Sequence, residues 1–207
     1  MNISSLTVGQ MSVNCYLVTD PLSSQTLIVD PGDDAQLIID TITGHELKPL
    51  AIIATHGHFD HILAVNELKL AYNLPFYINE DDLFLIKKMR PNTKHFLGFD
   101  PGPPPIPDKY LSASSLKIEN CELKTIKTPG HTPGSICLYS KEDNFLIAGD
   151  LIFANGGVGR TDFSYSNHQE LITSINQVLK LPPTTTIFSG HGPATTIANE
   201  LSFNQKN

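Results

Sequence analysis

"THGHFDH", residues 55–61, places three histidines and one aspartate within seven consecutive positions. It directly follows "LAIIA" (residues 50–54), a short run in which every residue is apolar. Such a run, bounded by polar residues, predicts a buried β-strand. Side chains at the end of a buried strand stand on a rigid support, so we interpret the motif as a metal site and not as a solvated polar turn.

Three other apolar stretches lead to residues of the same chemical types. His131 lies between two Pro-Gly pairs after "LKTIKT", Asp150 ends "NFLIAGD", and His191 follows "TTTIFS". The predicted ligand set therefore contains five histidines and two aspartates: His56, His58, Asp60, His61, His131, Asp150 and His191. Because imidazole suits zinc and iron, and a carboxylate can bridge two ions, these ligands are enough for two divalent metal ions.

The overall composition is that of a globular protein in which 40% of the residues are hydrophobic. With 207 residues, the chain is long enough for a buried core, and we expect a single domain over residues 1–207. The net charge of −7 and the lack of a Lys/Arg cluster argue against a nucleic-acid partner. No apolar run approaches the length of a membrane span, so no membrane partner is expected.

The three cysteines, Cys15, Cys121 and Cys137, show no Cys-x-x-Cys spacing and lie in strand-like stretches. We expect them to be buried, reduced thiols. The amino terminus lacks a basic region followed by a long apolar one, so it does not resemble a signal peptide. Both observations predict a cytoplasmic protein.

Strand-like and helix-like patterns alternate twice along the chain. The first half contains the strand-like stretches "NCYLVT", "TLIVD", "LAIIA" and "PFYIN", and the second contains "CELKTIKT", "SICLYS", "NFLIAG" and "TTTIFS". Helical patterns accompany the strands in both halves. This order predicts an α/β (α+β) fold in which two sheets pack together and helices cover them from outside.

The first predicted helix lies in "PGDDAQLIIDTITGHEL". Asp33 or Asp34 is available as its N-cap. Leu37, Ile38 and Ile42 are spaced along one helical face, which is predicted to be buried.

A later helix is predicted in "NHQELITSINQVLKL", with Asn167 as its N-cap. Residues 91–110, by contrast, are so rich in Pro and Gly that no regular element is predicted there. His45, His95 and His168 lie in helix or loop contexts without partner ligands, and we expect them at the surface.

The motifs "THGHFDH", "TPGHTPGS", "AGD" and "SGHGP" resemble the successive metal motifs of the metallo-β-lactamase superfamily, over residues 55–193. The resemblance implies a four-layer αββα sandwich with the metals at one edge. It also implies the distribution of the ligands: His56, His58 and His131 on one metal, Asp60, His61 and His191 on the other, and Asp150 bridging both.

Within this superfamily, "GRTDF" (159–163) and "GHGPATTI" (190–197) resemble the short form of the glyoxalase II-like hydrolases. That resemblance implies hydrolysis of a thioester, such as S-lactoylglutathione, by a hydroxide that bridges two metal ions, with zinc or iron as the metal. Asp150 and Asp60 would be the catalytic carboxylates, and Asp60 would also orient the hydroxide. Longer glyoxalase II proteins carry a C-terminal helical domain that binds glutathione, and we expect this chain to lack it.

Arg160 falls where longer relatives have a lysine that contacts glutathione. The resemblance implies that Arg160 holds a carboxylate of the substrate through its two-pronged guanidinium group. The alternative is that Arg160 pairs with Asp162 at the surface, with little energetic consequence.

Other branches of the superfamily predict different activities. Many exported β-lactamases carry a cysteine where this chain has Asp150, and the nucleases usually carry basic surfaces or an extra domain. Persulfide dioxygenases also show "GRTDF"-like segments, and their pattern would place a single iron on His56, His131 and Asp150. A non-catalytic metal-binding scaffold is the remaining alternative, although a purely structural metal site is normally closed to water.

Overall fold

Two six-stranded β-sheets pack against each other in the computed structural model, which describes residues 1–112 and 115–204. The first sheet contains, in spatial order, β1 (Asn2–Val8), β2 (Val13–Thr19), β3 (Gln25–Val29), β4 (Lys48–Ile53), β5 (Phe76–Ile78) and β6 (Lys109–Tyr110). The second contains β7 (Ser115–Ile118), β8 (Cys121–Lys127), β9 (Ile136–Ser140), β10 (Phe145–Gly149), β11 (Thr186–Ser189) and β12 (Thr195–Thr196), also as successive neighbours. The division into two halves confirms the prediction from the alternating pattern.

Parallel pairing brings several strand ends to common edges. Strands β3 to β6 are parallel to one another, and β10 is parallel to β11, whereas the other neighbouring pairs are antiparallel. The carboxyl ends of β3 and β4 therefore lie side by side, as do those of β10 and β11. The loops that follow these ends carry most of the predicted ligands.

Helices cover the outer faces of both sheets. The described helices are α1 (Ala35–Gly44), α2 (Val65–Tyr72), α3 (Leu83–Lys87), α4 (Met89–Leu97), α5 (His168–Val178) and α6 (Ile197–Asn204). Ile38 of α1 and Leu68 of α2 belong to the same buried cluster as Ile52 of the first sheet. Leu171 of α5 belongs to the same buried cluster as Leu146 of the second sheet.

The core between the sheets explains why the strand before the histidine motif is entirely apolar. Ala51 and Ile53 belong to the cluster between the sheets, together with Leu138 and Ile147 of the second sheet, whereas Ile52 faces the helices. Both faces of β4 are thus buried, which favours a continuous apolar run over an alternating one. Each such fully buried Ile contributes about 1.5–3 kcal/mol of transfer free energy. The four layers confirm the predicted αββα sandwich.

The first helix differs from its prediction in two respects. Asp34 occupies the N-cap position with φ of 49°, but its side chain makes no capping hydrogen bond and instead accepts one from the backbone N–H of Gly9 at 2.8 Å. Leu37 is 45% exposed, so its placement on the buried face was wrong. The buried residues of this helix are Ala35, Ile38 and Ile42.

The prediction that residues 91–110 contain no regular element was also wrong in part. Helix α4 continues to Leu97, and β6 occupies Lys109 and Tyr110. Pro91 is the third residue of α4, and a helix tolerates proline in its first turn because the N–H groups there have no helical acceptor. The helix ends at Gly98, whose φ of 77° is the left-handed conformation favoured by glycine.

The predictions for the Asn167 cap, the cysteines and the remaining histidines are confirmed. The side chain of Asn167 caps α5 by accepting hydrogen bonds from two backbone N–H groups, at 3.0 and 3.2 Å. The cysteines are free and buried, and the histidines outside the ligand set are exposed: His45, His95 and His168. No helix in the described part of the chain has the length and apolar character needed to cross a membrane.

Candidate metal centre

The predicted ligands converge at one edge of the sandwich. His56 and His58 follow β4, and Asp60 and His61 lie in the short 3-10 turn Phe59–His61. The other three ligands come from the second sheet, in the loops after β8, β10 and β11: His131, Asp150 and His191. Residues from four separate loops, up to 135 positions apart in the chain, thus meet at one place.

One group of ligand atoms comes from His56, His58, His131 and Asp150, and all of these atoms lie within 4.8 Å of one another. Nδ1 of His58 lies 3.1 Å from Nε2 of His56 and 2.9 Å from Nε2 of His131. Oδ2 of Asp150 lies 3.6 Å from Nε2 of His131. Three imidazole nitrogens and a carboxylate oxygen therefore face a common centre, which is the donor set that zinc or iron prefers.

A second group comes from Asp60, His61 and His191, whose ligand atoms also lie within 4.8 Å of one another. Asp150 contacts this group as well. Its Oδ1 lies 3.5 Å from Nε2 of His61, and its Oδ2 lies 3.7 Å from Nε2 of His191. Asp150 is thus the one member of the ligand set whose carboxylate reaches both groups, which is the position that the bridging role requires.

The backbone orients two of the histidines. The carbonyl oxygen of Arg160 lies 2.8 Å from Nδ1 of His131, and that of Met11 lies 3.1 Å from Nδ1 of His191. A carbonyl can only accept, so each Nδ1 carries the hydrogen and each Nε2 presents a lone pair to the centre. Such outer partners set both the tautomer and the direction of a ligand ring.

Asp30, which the sequence analysis missed, anchors the first turn of the site. Its carboxylate accepts hydrogen bonds from the backbone N–H and the hydroxyl of Thr55, both at 2.7 Å. Oδ2 also lies 3.1 Å from Nδ1 of His61. The Thr55 hydroxyl in turn lies 3.1 Å from Nδ1 of His56. Asp30 directly follows the apolar strand β3, so the signal that identified Asp150 was also present here.

Asp82, also missed, joins the two loops that carry the histidines of the first ligand group. It accepts hydrogen bonds from the backbone N–H groups of Gly57 and Gly134 and from the hydroxyl of Thr132, each at 2.7 Å. Asp82 is fully buried, and burial raises the pKa of its carboxyl group in spite of these donors. No sequence pattern marks Asp82, because its donors lie 25 to 52 positions away.

Two glycines leave room for Asp150. A Cβ atom on Gly190 would lie 2.2 Å from Oδ1 of Asp150, and one on Gly159 would lie 1.9 Å from its backbone oxygen. Both distances are far shorter than atoms tolerate. Gly190 of "SGHGP" and Gly159 of "GRTDF" are therefore required by the close approach of Asp150.

The electrostatics of the site fit a bound cation. His61 Nε2 and Asp150 Oδ1 are buried, and within the described residues neither has a hydrogen-bond partner. Burial opposes a charge on His61, but Asp150 and Asp30 outweigh it and raise the pKa of His61 to about 10. The negative charge that holds a proton there also favours a divalent cation, which competes with that proton. The residues present therefore fit the expected metals.

The other two histidines of the same turn are held neutral. Burial, reinforced by the neighbouring imidazoles, lowers the pKa of His56 and of His58 well below the usual range. A neutral imidazole is the form that binds metal ions. Both side chains are thus ready to bind a cation near neutral pH.

Arg160 lies at the rim of the site. Its Nε and Nη2 atoms lie 2.7 and 2.6 Å from the two carboxylate oxygens of Asp162, and the guanidinium group is 4.4 Å from the ring centre of Phe163. Both charged side chains are more than half exposed. This is the surface pair considered as the alternative for Arg160. The residue also acts through its backbone, since its carbonyl oxygen orients His131.

A cleft of about 180 Å³ opens directly onto the ligand residues. Asp60, His131, Asp150 and His191 are among its lining residues, and so are aromatic side chains such as Phe163. The cleft gives a small molecule access to both groups of ligand atoms.

Comparisons with known proteins agree with this arrangement. The family model described as the metallo-beta-lactamase superfamily matches residues 8–191. The chain is 37% identical over 200 residues to the probable metallo-hydrolase YqgX of Bacillus subtilis, covering 95% of this chain and 93% of that protein. It is 33% identical over 208 residues to the hydroxyacylglutathione hydrolase GloC of Haemophilus influenzae, covering 99% of this chain and 97% of that protein.

Two solved structures are also similar over nearly the whole chain. BLEG-1, a B3 metallo-beta-lactamase, matches with a TM-score of 0.90 and 32% identity, covering 97% of each chain. TTHA1623, crystallised in a di-iron-bound form, matches with a TM-score of 0.89 and 32% identity, covering 99% of this chain and 100% of that one.

Proposed function

Because the chain belongs to the metallo-β-lactamase superfamily, we propose that it is a hydrolase that cleaves thioesters at a site for two divalent cations. The proposal is carried by the two groups of ligand atoms that meet at Asp150 and open onto one cleft. Zinc is the first expectation for both positions, with iron or a mixture of zinc and iron as alternatives.

In this proposal each group of ligands holds one cation. His56, His58 and His131 would hold the first, Asp60, His61 and His191 the second, and Asp150 would bind both. Two cations bound there would supply a water molecule activated as a nucleophile and positive charge to stabilise the developing oxyanion.

In the proposed mechanism, Asp60 positions the attacking water. Asp60 lines the cleft, and its Oδ2 lies 3.7 Å from Nε2 of His191. In the proposed mechanism its carboxylate accepts a hydrogen bond from the attacking water and so fixes the direction of attack. A thiolate leaving group has a parent pKa of roughly 8.5, so it departs without a dedicated general acid.

Covalent catalysis by a cysteine does not compete with this mechanism. All three cysteines are fully buried, and none of them lines the cleft. Burial raises the pKa of Cys137 to about 12 and raises the pKa of Cys15 and of Cys121 as well, so the reactive thiolate is disfavoured at each.

S-Lactoylglutathione is the first thioester to test, since a 33% identical relative is named a hydroxyacylglutathione hydrolase. Arg160 would then hold a substrate carboxylate after leaving Asp162, an exchange that costs little because both side chains are exposed. The similarity to BLEG-1 at 32% identity favours a β-lactam as a second substrate class for the same site.

The decisive experiment combines metal analysis with activity on one purified sample. We expect about two equivalents of zinc or iron and hydrolysis of S-D-lactoylglutathione, with a chromogenic β-lactam assayed in parallel. His191→Ala should lose the second equivalent and most of the activity, whereas His45→Ala, at an exposed site that does not line the cleft, is the matched control. One equivalent of iron, no hydrolysis, and oxygen uptake with glutathione persulfide would contradict the proposal in favour of the dioxygenase.

A further inference from the structure

Two parallel aromatic pairs line the cleft beside the ligand residues. The rings of Phe59 and Phe96 stack with their centres 5.7 Å apart and their planes 4° from parallel. The rings of Phe163 and Tyr165 stack at 5.2 Å and 10°. All four side chains contribute to the lining of the cleft. A ligand next to the reaction centre would thus meet four aromatic rings beside the metal-ligating side chains.

Each pair is held in place by the site itself. Phe59 lies in the turn that carries Asp60 and His61, and it is 7% exposed. The hydroxyl of Tyr165 lies 2.9 Å from Nε2 of His58, and its ring also makes an edge-to-face contact with Phe84 at 5.2 Å. Phe59 and Tyr165, one ring of each pair, therefore keep their positions before a ligand arrives, which lowers the entropic cost of binding.

Much of this apolar surface is open to water in the free protein. Phe96 is 57% exposed and Met11 is 41% exposed, and both line the cleft. Covering such surface with an apolar group releases water from it and contributes favourably to binding. An apolar group of a substrate would gain this energy without any rearrangement of the core.

The charges around the cleft do not favour a polyanion. Among its described lining residues, Arg160 is the one lysine or arginine, and both prongs of its guanidinium group are bound to Asp162. Asp60 and Asp150, which also line the cleft, add negative charge. Glutathione, with two carboxylates, would find one arginine for at most one of them, and only after Arg160 leaves Asp162.

We propose that one half of the thioester substrate is an uncharged, apolar group, aromatic in the best case, that packs against the Phe59–Phe96 and Phe163–Tyr165 pairs. This inference rests on the proposed thioester hydrolysis and names its substrate class. Glutathione would then be a tolerated thiol and not the recognised one.

Binding of uncleavable thioethers to the metal-loaded protein tests the inference separately from catalysis. Four probes form a matched set: the S-methyl and S-benzyl derivatives of N-acetylcysteamine and of glutathione. We expect calorimetry to show that benzyl binds about tenfold more tightly than methyl on either thiol. Glutathione should bring no gain over N-acetylcysteamine.

Two substitutions on neighbouring exposed aromatics provide the control. The benzyl advantage is the ratio of the affinity of the benzyl probe to that of the methyl probe. Phe96→Ala should reduce this ratio about fivefold, which corresponds to the loss of one aromatic contact. Phe99→Ala should preserve it, because Phe99 is 40% exposed but does not line the cleft. A benzyl advantage below about twofold, or tighter binding of S-methylglutathione than of either benzyl probe, would overturn the inference. Failure to hydrolyse any lactoyl thioester would instead count against the proposed function, whatever the binding result.

Discussion

The hydroxyl group of Tyr165 lies 2.9 Å from Nε2 of His58, across 107 positions of the chain. Because Nδ1 of His58 faces the other ligand nitrogens, Nε2 carries the hydrogen and donates it to the tyrosine oxygen. Burial raises the pKa of Tyr165 to about 12, so the hydroxyl stays neutral at physiological pH. A neutral tyrosine therefore orients His58. The carboxylate of Asp30 orients His61 in the same way, and the backbone carbonyl of Arg160 orients His131.

Tyr165→Phe should weaken metal binding to the first ligand group. The substitution keeps the aromatic ring and removes only the acceptor of the His58 N–H, and loss of such an outer partner typically lowers metal affinity 10- to 100-fold. We expect about a tenfold loss in competition with a chelator, confined to one of the two equivalents. Tyr110→Phe, on an exposed strand, should leave both equivalents unchanged. Equal affinities in the wild type and in Tyr165→Phe would mean that the ring alone holds His58.

Asp30→Asn should destabilise the protein even without metal. The asparagine keeps one acceptor oxygen but turns the other into an N–H₂ group, which cannot serve the three donors now bound to the carboxylate. We expect a loss of about 2–4 kcal/mol in the free energy of unfolding, measured with urea after metal removal. Asp40→Asn, at an exposed site on α1, should change it by less than about 0.5 kcal/mol. An equally small change in the free energy of unfolding for Asp30→Asn would show that water or a shifted Thr55 compensates for the lost hydrogen bonds.

Gly190→Ala should displace the carboxylate of Asp150, the proposed bridge between the two cations. The added methyl group would lie 2.2 Å from Oδ1 of Asp150, so Asp150 or the loop after β11 must move. We expect the metal content to fall below two equivalents by elemental analysis, and hydrolysis to fall at least tenfold. Gly44→Ala has no atom within 4 Å of the new Cβ, and it should retain full metal content. Full occupancy and activity in Gly190→Ala would disprove the requirement for glycine at this position.

The metal-free protein should lose stability in acid. Burial lowers the pKa of His56 and of His58 below the unfolded value of 6.5, so below that pH the unfolded chain binds protons that the folded chain does not. The free energy of unfolding should then fall with decreasing pH by up to about 1.4 kcal/mol per unit for each of the two histidines. Urea titrations between about pH 5 and 7.5 would measure the slope.

His58→Gln should reduce that slope, whereas His95→Gln, at an exposed site, should preserve it. His61 contributes in the opposite range. Its pKa of about 10 lies above the unfolded value, so its contribution is complete below pH 6.5 and is lost as the pH rises towards 10. A profile without a decline below pH 6.5 would contradict the buried, neutral state of His56 and His58.

The sequence was sufficient to predict those elements whose burial or capping depends on residues close together in the chain. The apolar run of β4 and the cap at Asn167 could be read directly, because burial on both faces and capping leave their mark within a few residues. Helix α4 was missed because Pro91 usually interrupts a helix, and only its place in the first turn makes it harmless. Leu37 was wrongly predicted to be buried, because helical spacing does not show how far the sheet extends beneath the helix.

The sequence by itself determined the sandwich fold and the set of seven side chains at the strand ends, because both follow from periodicity and from short motifs. Only the tertiary structure brought the ligands into two groups joined by Asp150. It alone revealed that Asp30 and Tyr165 orient two of the histidines and that Asp82 joins the loops that carry them. The physical reason is distance along the chain: these partners belong to segments 25 to 107 positions apart, and hydrogen bonds between such segments exist only after the two sheets have packed together.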